Sequence, residues 1–340
     1  MRLLIDGRPL VGHRTGIGVH VAEIARRLEL DAPPTIATHA QIDDVSGLGN
    51  CAFRVDPAPN GIVWQQFVLP SIDADVLWGP HGTLPARGKT PAVITLHDFT
   101  SITMPGRHRL KTILSFNLFI GRSIERAARI AAVSRATAEE AVRGFGVSRA
   151  KIEIVPNGVD EFFSPALRRE EGDYILFVGT LEPRKGIADL IAVYRSLPLP
   201  RPRLVLCGDK GWLPEIAAGD GIDCTGYVDR TRLRELYRGA RLFVYPSRCE
   251  GFGIPPLEAM ACGAPVIATR TGAIPEYAAD VAMLIEPGDR DGLRGSIVRG
   301  LASASLRGEL GARAADRARE YRWDRSAALM AELFAEADRA

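Results

Sequence analysis

The chain has 340 residues, 46% of them hydrophobic and 25% charged, with a formal net charge of +2. That length suits two α/β domains of roughly 150 residues each better than a single core. The balance excludes a disordered chain, and the small net charge gives no case for nucleic acid binding or a polybasic membrane anchor.

No apolar run approaches the roughly 20 residues that span a bilayer. Asp6 comes too early for a signal peptide, so Leu3–Asp6 reads as a strand. Further strands are predicted at Thr35–Thr38, Ala52–Val55, Val76–Trp78, Ala92–Leu96, Ile130–Val133 and Ile152–Val155. A second series follows at Ile175–Val178, Leu204–Cys207, Asp223–Gly226, Leu242–Tyr245, Val266–Ala268 and Met283–Ile285. Helical segments separate these short apolar runs, which predicts two doubly wound parallel sheets in series. The seam is expected around Pro156–Glu171, and the tail from about Arg307 reads as helix with a break at Trp323. Five scattered cysteines without metal-ligand spacing point to reduced thiols in a cytoplasmic compartment.

Four strand–loop–helix turns carry candidate chemistry. The first is Arg14-Thr15-Gly16-Ile17-Gly18, where Gly16 and Gly18 allow close backbone approach to a ligand, with a plain helix-start turn as the alternative. It does not complete a dinucleotide fingerprint, because His20 and Val21 follow in place of a third glycine. His97-Asp98 closes a strand at the end where ligands collect in open α/β sheets. His97 is a candidate contact for a transferred group or its acceptor, against a structural His–Asp turn. In Gly179-Thr180-Leu181-Glu182-Pro183-Arg184-Lys185-Gly186, two cations stand where the helix dipole disfavours them, which an anion between them and the helix start would explain. A solvated basic turn is the bland alternative. The fourth turn is the most informative. Ser247-Arg248-Cys249-Glu250-Gly251-Phe252-Gly253 leads into Ile254-Pro255-Pro256-Leu257-Glu258 and on to Gly263 and Pro265. Prolines fit only the first turn of that helix, and its glycine loop suits a phosphate or a sugar oxygen. Glu250 and Glu258 lie too far apart to share one partner, and make sense as acceptors from hydroxyls, one set on a sugar and one on a ribose.

These residues together resemble the retaining glycosyltransferases of family four. The specific part is the paired-glutamate string with Gly251-Phe252-Gly253 inside it. Asp6-Gly7-Arg8, Val133-Ser134 and Val155-Pro156-Asn157-Gly158-Val159-Asp160 add support. The resemblance implies the GT-B architecture, two Rossmann-like domains facing each other across a cleft. It implies an acceptor-side domain at 1–165, a nucleotide-sugar domain at 166–320, and a helix at 321–340 crossing back to the first. Glu250 and the backbone after it would hold the donor sugar, Glu258 the ribose, and Arg184 and Lys185 the diphosphate. Gly16, Gly18, Thr180, Gly251, Phe252 and Gly253 complete the expected donor contacts. Thr180 stands where many members carry arginine.

The implied activity is metal-independent, retaining transfer of mannose or a related deoxyhexose from a nucleoside-diphosphate sugar, GDP-linked, to a saccharide or lipid-linked saccharide. Polysaccharide or glycolipid assembly is the implied setting, with no cofactor. The alternatives are an epimerase or phosphorylase of the same architecture, or a nucleotide-sugar-binding scaffold without turnover. Asp73-Ala74-Asp75 has the form of a divalent-metal motif but stands on the entering side of its strand, so a solvated entry is expected. Arg107–Arg129 interleaves Arg109, Lys111, Arg122, Arg126 and Arg129 with Leu110, Ile113, Leu114, Phe116, Phe119 and Ile120. Its two readings are a core-facing helix with a basic outer face and peripheral docking on an anionic membrane.

Overall fold

The computed structural model describes residues 1–12, 16–103, 110–211 and 219–340, with 110–115 described by backbone alone. The chain divides into two compact units, Met1–Gly158 with Arg322–Ala340, and Val159–Tyr321.

In the first unit the strands are β1 (Leu3–Asp6), β2 (Thr35–Thr38), β3 (Ala52–Val55), β4 (Val76–Gly79), β5 (Ala92–Leu96), β6 (Arg129–Ala132) and β7 (Ile152–Ile154). They form one sheet in the order β3-β2-β1-β4-β5-β6-β7, with every pair parallel. In the second unit β8 (Tyr174–Val178), β9 (Arg203–Cys207), β10 (Ile222–Gly226), β11 (Leu242–Tyr245), β12 (Val266–Thr269) and β13 (Met283–Ile285) form a sheet in the order β10-β9-β8-β11-β12-β13, again all parallel. Each sheet is doubly wound about a first strand from which the order runs both ways, so β1 and β8 are central and buried. The C-terminal ends of those central strands and their neighbours are the ligand edges of such sheets.

All thirteen predicted strands form, with ends shifted by a residue at most. One differs in setting: β3 is exposed along its whole length, because it closes the edge of its sheet. The division between units falls at Gly158/Val159, before the expected boundary at 165/166. Residues 159–165 are held in the second unit, where the Val159 N–H donates to Tyr321 O at 2.9 Å and Arg238 donates to Ser164 O at 2.7 Å. Gly158 ends the first segment. A Cβ there would lie 2.2 Å from the Trp323 nitrogen, so only glycine lets the linker pass the start of the tail.

The tail helix Trp323–Asp338 belongs to the first unit, with Trp78 and Phe334 in ring contact at 5.6 Å and Glu336 paired to Arg129 at 2.8 Å. In the segment considered for membrane docking, Arg107 and Arg109 lie outside the described residues. Helix Leu110–Arg126 buries Ile120 and Ile124 and leaves Leu118 70% exposed. Arg126 donates to the carbonyls of Pro85 and Thr90. Two of the supposed outward cations, Arg126 and Arg129, are thus bound internally. Asp73 and Asp75 both hold Arg2, at 2.6 and 2.7 Å, an exposed triad at the strand entry. Among the described residues no helix is long and apolar enough to cross a membrane.

Candidate active site

Two loops at the C-terminal edge of the second sheet meet over β11. The first leaves β8 at Gly179 and makes a short 3-10 turn, Pro183–Lys185, before helix Ile187–Arg195. Gly186 joins turn to helix at φ +70°, and a Cβ there would come within 2.0 Å of Pro246 O. Only glycine permits that crossing, which brings the turn directly against the second loop, 246–253. Arg248 N–H completes the contact by donating to Arg184 O at 2.8 Å.

At the crossing Lys185 and Glu250 form a buried ion pair, Nζ to Oε1 2.5 Å, with side chains 9% and 8% exposed. Lys185 also donates to the Tyr245 hydroxyl at 2.7 Å. The same Oε1 accepts from Tyr245 at 3.0 Å and from Ser247 Oγ at 2.6 Å, and Arg184 stands 3.6 Å away. Burial pushes the Glu250 carboxyl up, but Lys185, Arg184 and the Ser247 hydroxyl outweigh it and hold it at about 2. Burial pulls the Lys185 ammonium below its ordinary value, and Glu250 offsets part of that. The pair is a fixed dipole at the sheet edge. A carboxylate this buried has to be paired.

The backbone after Glu250 supplies donors. Gly253, at φ +84°, caps helix Ile254–Ala261, and no side chain caps it. Pro255 and Pro256 follow at once and contribute no N–H, so the helix start offers fewer amides than its dipole suggests. Among the described residues, the N–H groups of Gly251, Phe252, Gly253 and Ile254 have no acceptor. They are a run of unspent donors beside the Lys185–Glu250 pair. The Phe252 side chain is not part of this surface: it is 4% exposed, packed on Tyr277 at 5.4 Å and Tyr321 at 6.4 Å. Of Phe252, only the backbone N–H is left without an acceptor among the described residues.

Glu258 lies one turn into the helix, half-buried, accepting from the Tyr237 hydroxyl at 2.9 Å. Thr180 is exposed just after Gly179, and its carbonyl accepts from Glu182 N–H at 2.8 Å. Arg184 is turned sideways by Glu182, Nε to Oε2 2.9 Å.

The remaining candidates belong to the first unit. His97 follows β5 and donates from Nε2 to Pro80 O at 2.8 Å, which leaves Nδ1 as the acceptor nitrogen of a neutral ring. Its ring stands at right angles to that of His20, centroids 4.8 Å apart. His20 is fully buried and bonds through Nδ1 to Asn157 Oδ1 at 2.7 Å. Burial pushes both histidines down, and their mutual repulsion adds to the effect at His20. Asp98 does what a structural turn requires, accepting from Thr100 N–H at 2.9 Å and Thr100 Oγ1 at 2.6 Å. Gly16 is exposed as the first residue of helix Gly16–Ala25, Gly18 is buried within it, and Arg14 and Thr15 lie outside the described residues. The structure therefore brings Arg184, Lys185 and Glu250 into one cluster, sets Glu258 on the adjoining helix, and keeps His97, Gly16 and Gly18 in the other unit.

Sequence reasoning passed over Tyr245, Ser247 and Tyr237. The available signal was a tyrosine and a serine flanking Pro246 at the end of an otherwise apolar strand.

The family model described as glycosyl transferases group 1 matches residues 159–319, and that described as glycosyltransferase family 4 matches 14–161. O-antigen chain mannosyltransferase B of Escherichia coli is 33% identical over 283 residues, spanning 76% of this chain and 74% of that one. The chain belongs to glycosyltransferase family 4. A D-inositol 3-phosphate glycosyltransferase of Xylanimonas cellulosilytica is 31% identical to this glycosyltransferase over 61% of its length and 57% of the relative's. Anabaena HepE in complex with UDP-glucose shares the fold, with a TM-score of 0.78 at 18% identity over 98% of each chain. WaaG, a glycosyltransferase involved in lipopolysaccharide biosynthesis, aligns with a TM-score of 0.74 at 16% identity over 98% of this chain and 99% of its own. The fold is GT-B, two parallel-sheet α/β domains, and the chain is mannosyltransferase-like.

Proposed function

We propose that this glycosyltransferase transfers mannose or a related deoxyhexose, with retention, from a GDP-linked donor to a saccharide or lipid-linked saccharide acceptor. The observation that carries the reading is the buried, ionised Lys185–Glu250 pair lying beside the unspent amides of Gly251–Ile254. Cleaving a sugar from a nucleoside diphosphate builds negative charge on the departing phosphate, and preorganised cations and amides stabilise it as it forms. Lys185 and Arg184 take the diphosphate, the 251–254 backbone and Glu250 the sugar, and Glu258 the ribose. His97 contacts the transferred sugar or its acceptor, and Gly16, Gly18 and Thr180 allow the donor to approach the backbone. In the step, the bond from the anomeric carbon to the diphosphate oxygen breaks. The acceptor oxygen bonds to that carbon on the same face, and its proton passes to the leaving phosphate. Two cations in place do the work that a metal does elsewhere, so the reaction needs none.

Polysaccharide or glycolipid assembly at the inner face of a membrane, with the enzyme cytoplasmic or peripherally bound, is the setting that suits such an acceptor. Support comes from the O-antigen mannosyltransferases among the relatives. The test is a thermal-shift series over nucleoside diphosphates, followed by NMR of the product anomer with the selected donor in the presence of a chelator. Guanosine diphosphate should raise the unfolding temperature most, because bound ligand stabilises by mass action. The product should keep the donor's anomeric configuration. Absence of stabilisation by every diphosphate, with no donor hydrolysis, defeats the assignment.

A further inference from the structure

Tyr245 closes β11 with its side chain fully buried, between Phe177 at 5.8 Å and Phe243 at 6.1 Å, the three rings nearly parallel at 12° and 16°. A phenol at this depth needs partners, and it has two of opposite charge. We propose that Tyr245 is a positioning residue: its hydroxyl aims one proton of the Lys185 ammonium at the donor and confines the internal bonds of Glu250 to a single oxygen. This rests on the reading of the site as a donor site.

The bond directions follow from the groups themselves. An ammonium only donates and an ionised carboxylate only accepts. The hydroxyl therefore accepts from Lys185 Nζ at 2.7 Å and donates to Glu250 Oε1 at 3.0 Å. Lys185 has three protons. Tyr245 takes one and Glu250 another, and among the described residues nothing accepts the third. With two directions set, tetrahedral geometry sets the third.

Glu250 shows the complementary pattern. Oε1 takes the donors of Lys185, Tyr245 and Ser247, and among the described residues Oε2 receives none. A carboxylate held by one oxygen keeps the other for a hydroxyl. The stacked rings locate the phenol oxygen, so the position of the hydroxyl is set by the sheet. Phenylalanine at 245 would keep the stack and lose the aim.

The experiment compares Tyr245→Phe and Tyr245→Leu with the wild type, by donor turnover across pH and by calorimetric titration with free nucleoside diphosphate. Both variants should lose about tenfold in kcat, less than the hundredfold or more typical of removing a direct donor. Donor KM should stay within about threefold, as befits a group acting through its neighbours. The alkaline limb of kcat/KM should move to lower pH, because the ammonium loses an acceptor that favours its charged form. Tyr245→Phe should stay folded, unfolding below the wild type for the lost hydrogen bonds but above Tyr245→Leu, which also loses the ring. Wild-type turnover and an unmoved alkaline limb in Tyr245→Phe, with loss confined to Tyr245→Leu, would show that only the ring matters and overturn the proposal alone. A wild type that binds no nucleoside diphosphate overturns the site reading and this role together.

Discussion

The cluster at Lys185 and the cluster at His97 answer burial in opposite ways. Both stand at the C-terminal ends of parallel strands, and both hold titratable side chains away from water. At Lys185 the neighbour is a carboxylate, and Glu250 is held ionised with a pKa of about 2 despite its depth. At His97 the ring contacts are a carbonyl, a second imidazole and, through it, an amide; burial pushes both rings toward neutrality, and the Pro80 carbonyl and Asp98, itself bonded to Thr100, offset only part of that at His97. Depth alone does not decide charge; the partner does. One unit therefore holds a fixed ion pair, and the other a pair of neutral imidazoles.

The comparison is broken most forcefully by removing the charge. Lys185→Ala should reduce transfer by about 100-fold or more and should also destabilise the second unit, since among the described residues it leaves Glu250 buried with only Arg184, 3.6 Å away, to balance it. Steady-state rates and thermal unfolding check both effects, and near-normal turnover would mean that the pair is structural alone. Next comes the acid response. Glu250 is depressed in the folded state, so its contribution is present above the unfolded value of about 4.3. It is lost as pH falls toward about 2. Glu250→Gln should therefore flatten the stability curve across that window, as read by denaturant melts at several pH values.

A smaller effect sharpens the histidine side. His20 is depressed by burial, so unfolding takes up a proton once pH drops below roughly 6.5. Wild-type stability should decline from there downward, and His20→Phe should decline less; identical slopes would indicate that His20 is already charged in the fold. Smallest of all is the exposed triad at the opposite end of the first sheet. Asp75→Asn, which loosens Arg2, should leave turnover unchanged with or without a chelator. A rate that drops with chelator and returns with a divalent cation would reopen the metal reading.

Much of this molecule was legible from residue order. Strands such as Leu242–Tyr245 and Val266–Thr269 are short, apolar and punctuated by Pro246 and Pro265, so local pattern suffices to place them. The glycine loop from Glu250 to Gly253 and the cation pair Arg184-Lys185 were visible as exceptions to helix chemistry. What stayed hidden was pairing. Lys185 and Glu250 are 65 positions apart, and no local pattern says that one carboxylate oxygen collects an ammonium, a phenol and a serine.

Residue order by itself determined that there are two parallel sheets, where their strands lie and which turns carry unusual residues, because backbone preference and alternation of apolar runs act over a few neighbours. Tertiary structure alone decided that β3 is an exposed edge, that the units part at Gly158/Val159, that the Phe252 ring belongs to the core, and that Glu250 is spoken for by Lys185 and Tyr245. Those outcomes depend on which distant segments share a buried space, where the cost of an unpaired charge selects the partner.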